Sequence, residues 1–394
     1  MPFTQISTEK ELERFCDELA GTSLMAFDTE FVTENTYRPE LCLIQVATDR
    51  GVTLIDPLIV GNVTPFWRVL TTPTLTTVVH AGRSDIEFCL HAVGALPARL
   101  IDVQLAAGFV GLEYPTGYSS LVFKLLSQSL TKHETRTDWR RRPLSERQLE
   151  YAADDVRYLR ETWSVLEARL TQLDRMPWFE DEMTRWAEDI RDALERESWQ
   201  RVSGNTGLDP RSLAVLREMW RWRQEEAVRS NKPPRRILRD DLMVELAKRK
   251  SADPKRILAV RGMEWRVHKR WIPDIVAAIE RALKLSKTDL PRLAPREKGL
   301  QAAVLGQFLF AALGSVCREW KLSPALVGGP NDIRDWITWR NDPDGRAPRP
   351  SLAQGWRAEV VGTLFDELLS GKVAVRIQDP LSDSPLAFEY PTND

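Results

Sequence analysis

The sequence predicts an α/β domain, a mixed sheet with helices on both faces, followed by all-α modules. Three observations carry that expectation. Short extended runs at 23–31, 41–48 and 51–57 are separated by gaps short enough for an antiparallel meander. Two further runs, 76–80 and 99–103, flank a helical stretch at about 84–93, so they can run parallel through a crossover. From about residue 210 onward the pattern is helical, punctuated by Pro, Gly and Asp clusters.

Each element has a local reason. Thr8 and Glu11 form a capping box ahead of Leu12, Phe15, Cys16 and Leu19 at helical spacing. SLMAFDTEF, LCLIQVAT and GVTLIDP are the first three strands, TTVVH and RLIDV the next two. Helices are expected at about 118–128 and 145–171, the second opening on a Ser145/Gln148 capping box. A charged helical connector spans 172 to about 206, and SGNTGLDP at 203–210 marks the best domain boundary. Residues 210–285 read as four or five short helices. KTDLPRLAPREKG (287–299) is a second break before a final helical region, and the last dozen residues read as loose. The domain division is therefore 1–205, 206–286 and 295–375.

With 394 residues the chain exceeds one ordinary domain. No apolar run is long enough to span a bilayer, and the N-terminus has no secretory pattern. Cys16, Cys42, Cys89 and Cys317 form no CxxC pair and read as buried reduced thiols, which fits a cytoplasmic location. Four histidines without HxxxH spacing argue against zinc. The net charge of -2 hides a split: residues 201–290 carry 22 Lys/Arg against 12 Asp/Glu. An acidic metal-binding part beside a basic phosphate-binding module gives that pattern, and so do solvated helix faces.

Asp28 and Glu30 stand two apart in an apolar strand, hence on one face. Paired carboxylates on a mostly buried surface repel unless a cation joins them, and hard oxygen ligands suit Mg²⁺ or Mn²⁺. An exposed edge strand would also explain a DxE pair. Asp85 follows HAGRS in the first turn of a helix, a position that favours a carboxylate in any case. Tyr151 and Asp155 lie four apart on one helix face, with Asp154 rotated about 100° away.

In combination these features are far more specific. AFDTEFV (26–32), LCLIQVA (41–47), LIDPL (54–58), HAGRSDIE (80–87), LIDVQ (100–104) and RTDWRRRPLSERQLEYAADDVRYL (136–159) resemble the tyrosine-bearing branch of the DEDD exonuclease superfamily, specifically the bacterial ribonuclease D family. The resemblance covers essentially all of residues 1–200. It implies a ribonuclease H-like fold and a catalytic set of Asp28, Glu30, Asp85, Tyr151 and Asp155, the four carboxylates being metal ligands. It implies two divalent ions, Mg²⁺ or Mn²⁺, about 4 Å apart on the scissile phosphate. Asp28 would bridge them, Glu30 and Asp155 would complete the site of the attacking water, and Asp85 would act at the second ion. Tyr151 would orient the nucleophile, since a phenol of pKa about 10 is a poor base at neutral pH. The product would be a 5′-nucleoside monophosphate taken from the 3′ end.

Arg136, Arg140, Arg141 and Arg142 precede the catalytic helix and either contact substrate phosphate or lie on a solvated surface. Asp102 reads as a hydrogen-bonding residue and His80 as packing or support, neither as a metal ligand.

Residues 210–285 resemble an HRDC domain, the helical module shared by ribonuclease D and RecQ-type helicases. The match is carried by LAVLREMWRWRQEEAVRSNKPPRRILRDDLMVELAKRKSADPKRILAVRG. Its basic balance points to RNA, with Arg235, Arg236, Lys248 and Lys250 as contact candidates. Trp220, Trp222, Trp265 and Trp271 serve either as stacking platforms or as core anchors. Residues 295–375 occupy the place of a second HRDC-like domain, although GGPNDIRDW and WRNDPDGRAPRP depart from what that resemblance implies. The expected partner is RNA, transfer-RNA precursors among it, with no membrane and no obligate protein partner. A DNA 3′→5′ exonuclease, sharing the same carboxylates, and a non-catalytic RNA-binding scaffold are the alternatives.

Overall fold

The structure, a computed structural model, describes residues 3–130, 137–291, 300–342, 344–345 and 347–390. Its first elements are β1 (Phe3–Ile6), α1 (Glu9–Leu19), β2 (Leu24–Val32), β3 (Glu40–Thr48) and β4 (Gly51–Ile55). Both halves of the Thr8/Glu11 capping box are made, with Thr8 Oγ1 accepting at 3.3 Å and Glu11 accepting in return at 3.1 Å. Next come α2 (Pro57–Val60), α3 (Thr64–Leu70), β5 (Thr76–Val79), α4 (Arg83–Val93), β6 (Arg99–Asp102) and α5 (Val103–Phe109). They are followed by α6 (Tyr118–Leu126), α7 (Glu146–Arg157), α8 (Leu159–Gln172) and α9 (Met176–Glu195).

The six strands form one mixed sheet in the order β1-β4-β3-β2-β5-β6. β3 and β4 are antiparallel, and β5 and β6 run parallel through a crossover, as the spacing predicts; β2 also pairs parallel with β5. Every residue from Cys42 to Ala47 is buried, because helices cover both faces of the central strands. β2 pairs with β5 only as far as Ala26 and Val78. Its continuation carries Asp28 and Glu30 past the end of β5, into the crevice at the carboxyl ends of the parallel strands where α/β sheets place their ligands.

Four details differ from the sequence reading. β1, a four-residue strand, joins the edge parallel to β4, and α2 and α3 occupy a stretch with no clear helical period. The expected single helix at 145–171 is broken at Tyr158, whose ψ of 1° ends the α7 ladder. The Tyr118 hydroxyl accepts the freed Tyr158 N–H at 3.2 Å. The tail is not loose throughout: β7 (Ala374–Ile377) and β8 (Leu386–Glu389) form an antiparallel hairpin.

The helical half comprises α10 (Pro210–Ser230), α11 (Pro234–Ile237), α12 (Asp240–Arg249), α13 (Pro254–Leu258), α14 (Trp265–His268) and α15 (Ile272–Lys284). α16 (Leu300–Glu319), α17 (Pro324–Val327), α18 (Pro330–Arg340), α19 (Gly355–Arg357) and α20 (Thr363–Leu369) complete it. α10 runs 21 residues, longer than the short helices expected there. Two compact units result: Met1–Glu30, Cys42–Asp192 and Glu297–Asp394 form the first, Phe31–Leu41 and Ala193–Arg296 the second.

The third expected module thus clusters with the sheet domain. The Arg175 guanidinium donates to the carbonyls of Phe109 and Lys321 at 2.7 Å each, and to that of Trp320. Arg357 forks onto Glu182 at 2.5 and 2.7 Å, and Trp356 Nε1 donates to the same carboxylate at 3.0 Å. Gly108 is needed at this seam, because a Cβ there would lie 2.9 Å from Leu326 Cδ2.

In the second unit the core gathers Leu216, Met219, Trp222, Met243, Leu246, Trp271, Ile275 and Ile279. Among the described residues no helix is long and apolar enough to cross a membrane. Cys16, Cys42, Cys89 and Cys317 are all buried and none forms a disulfide, and burial pushes the Cys89 and Cys317 thiols up to about 12.

Candidate active site

Three of the four expected carboxylates meet directly. One oxygen each from Asp28, Glu30 and Asp155 lies within 4.8 Å of the other two. Asp28 and Glu30 arrive on β2, and Asp155 on α7 one turn after Tyr151. The Tyr151 hydroxyl is hydrogen-bonded to Asp155. The expected α7 register therefore holds: Asp154 leaves the cluster to pair with Arg157 at 3.0 Å, although it still borders the same cavity.

Asp85 stands beside this trio in the first turn of α4, only 5% exposed, close enough that its charge acts on Asp28 and Glu30. Two features hold it. The Thr29 hydroxyl, from the residue between Asp28 and Glu30, donates to its carboxylate. The turn before α4 is also pinned. Ala81 takes a left-handed φ of 53°, and Gly82 must lack a Cβ because one would lie 2.6 Å from Val79. The Asp102 carboxylate accepts both of their N–H groups at 3.1 Å and caps α5 through Gln104 N–H at 2.8 Å. Asp102 thus shapes the turn that delivers Asp85. His80 donates or accepts at the Thr116 carbonyl, 2.9 Å away, and its ring centroid lies 5.5 Å from that of Tyr118. Thr29 and Tyr118 were not anticipated; a threonine inside a strand and a tyrosine at a helix start carry no distinguishing sequence signal.

The electrostatics follow from crowding. Burial pushes the Asp28 carboxyl well above the usual range, and the Asp85, Asp155 and Glu30 charges add to it. Glu30 rises to about 8, through burial and then Asp155 and Asp85. Asp155 rises to about 7 through burial, against the opposing Tyr151 hydrogen bond. Asp85 rises to about 6, again through burial, with the Thr29 hydrogen bond working downward. Burial first, and then the Asp155, Glu30 and Asp28 charges, hold the Tyr151 phenol above its ordinary value.

Among the described residues such a cluster has no ion-pair partner, and it consists of hard oxygen donors, the set that Mg²⁺ or Mn²⁺ prefers. Oxygens around one octahedral ion at about 2.1 Å lie about 3–4.2 Å apart. The observed 4.8 Å limit needs only a small contraction, so the residues present fit a divalent cation. A cavity of about 360 Å³, lined by Asp28, His80, Tyr118, Tyr151 and Asp155 among others, opens beside them.

The basic candidates divide. Arg142 is committed to the fold: it forks onto Asp56 at 2.5 and 2.7 Å and donates to the carbonyls of Cys42, Trp139 and Arg141. It is not available to substrate, a correction the sequence could not supply because Asp56 lies 86 residues away. Arg140 forks onto Asp138 at 2.8 and 3.2 Å, whereas Arg141 is largely exposed. Arg136 lies outside the described residues. In the second unit Lys250 pairs with Asp209 at 2.6 Å and Arg235 with Asp240 at 3.4 Å, while Arg236 and Lys248 are exposed. Trp222 and Trp271 are buried core, Trp220 packs against them, and Trp265 is exposed.

Comparison with known proteins agrees with this arrangement. A family description for 3′-5′ exonuclease matches residues 3–171, and one for the HRDC domain matches residues 212–279. The chain is 33% identical over 357 residues to Ribonuclease D of Pseudomonas paraeruginosa, covering 91% of this chain and 95% of that one. It is 34% identical over 371 residues to Ribonuclease D of Gluconacetobacter diazotrophicus, covering 93% and 92%. Among solved structures, RNase D of Escherichia coli, an exoribonuclease involved in structured RNA processing, superposes with a TM-score of 0.81 at 28% identity, covering 94% of this chain and 99% of that one.

Proposed function

The chain belongs to the ribonuclease D family of 3′→5′ exoribonucleases, and on that premise we propose the working parts of its active site and its substrate. Asp28, Glu30 and Asp155, with Asp85 beside them, would hold two divalent cations, Mg²⁺ or Mn²⁺. The observation that carries this reading is the convergence of three half-buried carboxylates with a tyrosine hydroxyl on one of them.

When bound, the cations supply an acidified water as nucleophile and neutralise charge on the scissile phosphate. The chain's own groups do the positioning. Tyr151 keeps its proton at neutral pH, because burial and the neighbouring charges raise its pKa, so it orients the attacking water instead of deprotonating it. Its hydrogen bond to Asp155 fixes the hydroxyl at the cluster. Thr29 holds the Asp85 carboxylate, and Asp102 holds the turn behind it. The cavity lined by His80, Tyr118 and Leu130 receives the terminal nucleotide, whose 5′ monophosphate is the product.

We assign 1–205 to the exonuclease domain, 206–286 to the HRDC domain and 295–375 to the C-terminal helical domain. Structured RNA with a 3′ extension, transfer-RNA precursors included, is the proposed substrate. Four buried cysteines, none in a disulfide, support a cytoplasmic setting.

The test is a 3′-extended RNA hairpin and its DNA counterpart, each 5′-labelled and incubated with Mg²⁺ or Mn²⁺. Stepwise shortening of the RNA from its 3′ end, with nucleoside monophosphates in the supernatant, is expected. Faster shortening of the DNA would transfer the activity to the DNA exonuclease class.

A further inference from the structure

The second unit carries one large aromatic side chain that core packing does not account for. Trp222 and Trp271 lie in its core and Trp220 packs against it, but Trp265 is 53% exposed and its neighbour Val267 is 49% exposed. Both sit on the single turn α14, just after Gly262, whose φ of +97° reverses the chain. An indole left in water gains nothing from the hydrophobic effect.

The charges around this turn are unusual too. Residues 261–271 hold four Lys/Arg against one Glu, and Arg261, Arg266, Lys269 and Arg270 are all exposed. Elsewhere in the unit surface cations are largely taken up internally. Arg249 pairs with Glu245 at 3.3 Å, Lys250 with Asp209 at 2.6 Å and Arg256 with Asp253 at 3.9 Å, and Arg239 pairs with Asp241. Among the described residues Arg261, Arg266 and Lys269 have no ion-pair partner. Lys269 instead places Nζ over the Trp265 ring, 5.1 Å from its centroid. Arg236 and Lys248 are exposed as well, but Trp265 is the aromatic among the large exposed apolar side chains described in this unit.

We propose that Trp265, with Arg261, Arg266, Lys269 and Arg270, forms a base-stacking site for a single-stranded segment of the RNA substrate. A base stacks on the indole face and takes the place of the Lys269 ammonium, which moves to a flanking phosphate. An aromatic face set among several unpaired cations suits the alternation of base and phosphate along a single strand. An acidic peptide would satisfy the cations and leave the indole uncovered. The site rests on the RNA reading above and adds to it a place on the HRDC unit where RNA is held.

The test uses the full chain in chelator, so that bound RNA stays intact, and fluorescence anisotropy with two probes across a salt series. One probe is a labelled oligouridylate; the other is an abasic ribose-phosphate oligomer of equal length. Trp265→Ala should weaken oligouridylate binding by about tenfold or more. Its affinity for the abasic oligomer and its salt slope should not change. Trp265→Phe should retain most of the affinity. Lys269→Ala should weaken both probes and reduce the salt slope by about 0.7. The side chain is half in water, so its removal costs the fold little. Wild-type affinity in both Ala variants would overturn the proposal and leave the patch to a protein partner. Equal losses by Trp265→Ala on the two probes would overturn stacking. A wild-type chain that degrades RNA in Mg²⁺ while Trp265→Ala binds normally would refute this site alone; a wild-type chain that degrades no RNA would refute the function itself.

Discussion

Metal binding at the carboxylate cluster should expel protons, and the number follows from the site. At pH 7, Glu30 with a pKa of about 8 is protonated in about nine molecules of ten, and Asp155 with a pKa of about 7 in about half. Asp28 is raised well above the ordinary range by burial and three neighbouring carboxylates, which acts in the same direction. A divalent ion needs all three as carboxylates, so its binding displaces more than one proton from Glu30 and Asp155 alone. The apparent dissociation constant for Mg²⁺ should then fall by more than about tenfold from pH 6 to pH 7. Without metal the sign is opposite. These carboxyls have folded pKa values above their unfolded ones, so the unfolded chain loses its protons first as pH rises. Stability contributed by the protonated cluster is present below pH about 4 and is lost as pH climbs through the folded values of about 7 and 8. Isothermal titration calorimetry of Mg²⁺ in buffers of different ionisation enthalpy counts the protons, and metal-free melting at pH 6 and 8 checks the sign. Glu30→Gln should reduce the proton count by about one. A Mg²⁺ affinity independent of pH would refute the claim that these three groups are the ligands.

Three other outcomes follow. Tyr151→Phe removes only the hydroxyl on Asp155, so kcat on short RNA should fall by about 10²-fold while calorimetric Mg²⁺ affinity stays within a few-fold; a variant with wild-type kcat would exclude the positioning role. Thr29→Val deletes the hydrogen bond that holds Asp85, a charge-assisted contact worth about 1.5–3 kcal/mol, and should cost at least tenfold in kcat/KM, with Thr29→Ser restoring it; Thr29→Val at full activity would mean Asp85 is held by the turn alone. Glu182→Ala leaves the Arg357 guanidinium buried without its partner and should cost about 3–5 kcal/mol in denaturant unfolding, whereas an unchanged midpoint would show that this contact is not what ties the C-terminal helices to the sheet domain.

The convergence of these carboxylates was legible because it is written in local patterns: period 2 brings Asp28 and Glu30 together, and a spacing of four does the same for Tyr151 and Asp155. The capping boxes at Thr8 and Ser145 formed as read, since both partners lie within three residues. What escaped is non-local. Thr29 meets Asp85 across 56 residues, Arg142 meets Asp56 across 86, and Arg175 reaches the Trp320 and Lys321 carbonyls across about 145. These contacts decide which arginines remain for RNA and why residues from 300 onward cluster with the sheet domain, and no periodicity encodes them. The tryptophans show the same divide: helical spacing made Trp220, Trp222, Trp265 and Trp271 equivalent candidates, and only packing separates the exposed one from the others.

The central claim is that the cluster around Asp28 is the metal-dependent centre of a 3′→5′ exoribonuclease. The most direct measurement sizes the products of a 5′-labelled, 3′-extended RNA incubated with the wild-type chain in Mg²⁺, in excess chelator, and with Asp28→Asn, whose folding is verified by circular dichroism. Progressive 3′ shortening by the wild type in Mg²⁺, and intact RNA in the other two reactions, is the predicted result. Shortening that persists in chelator, or near-normal turnover by a folded Asp28→Asn protein, would contradict it.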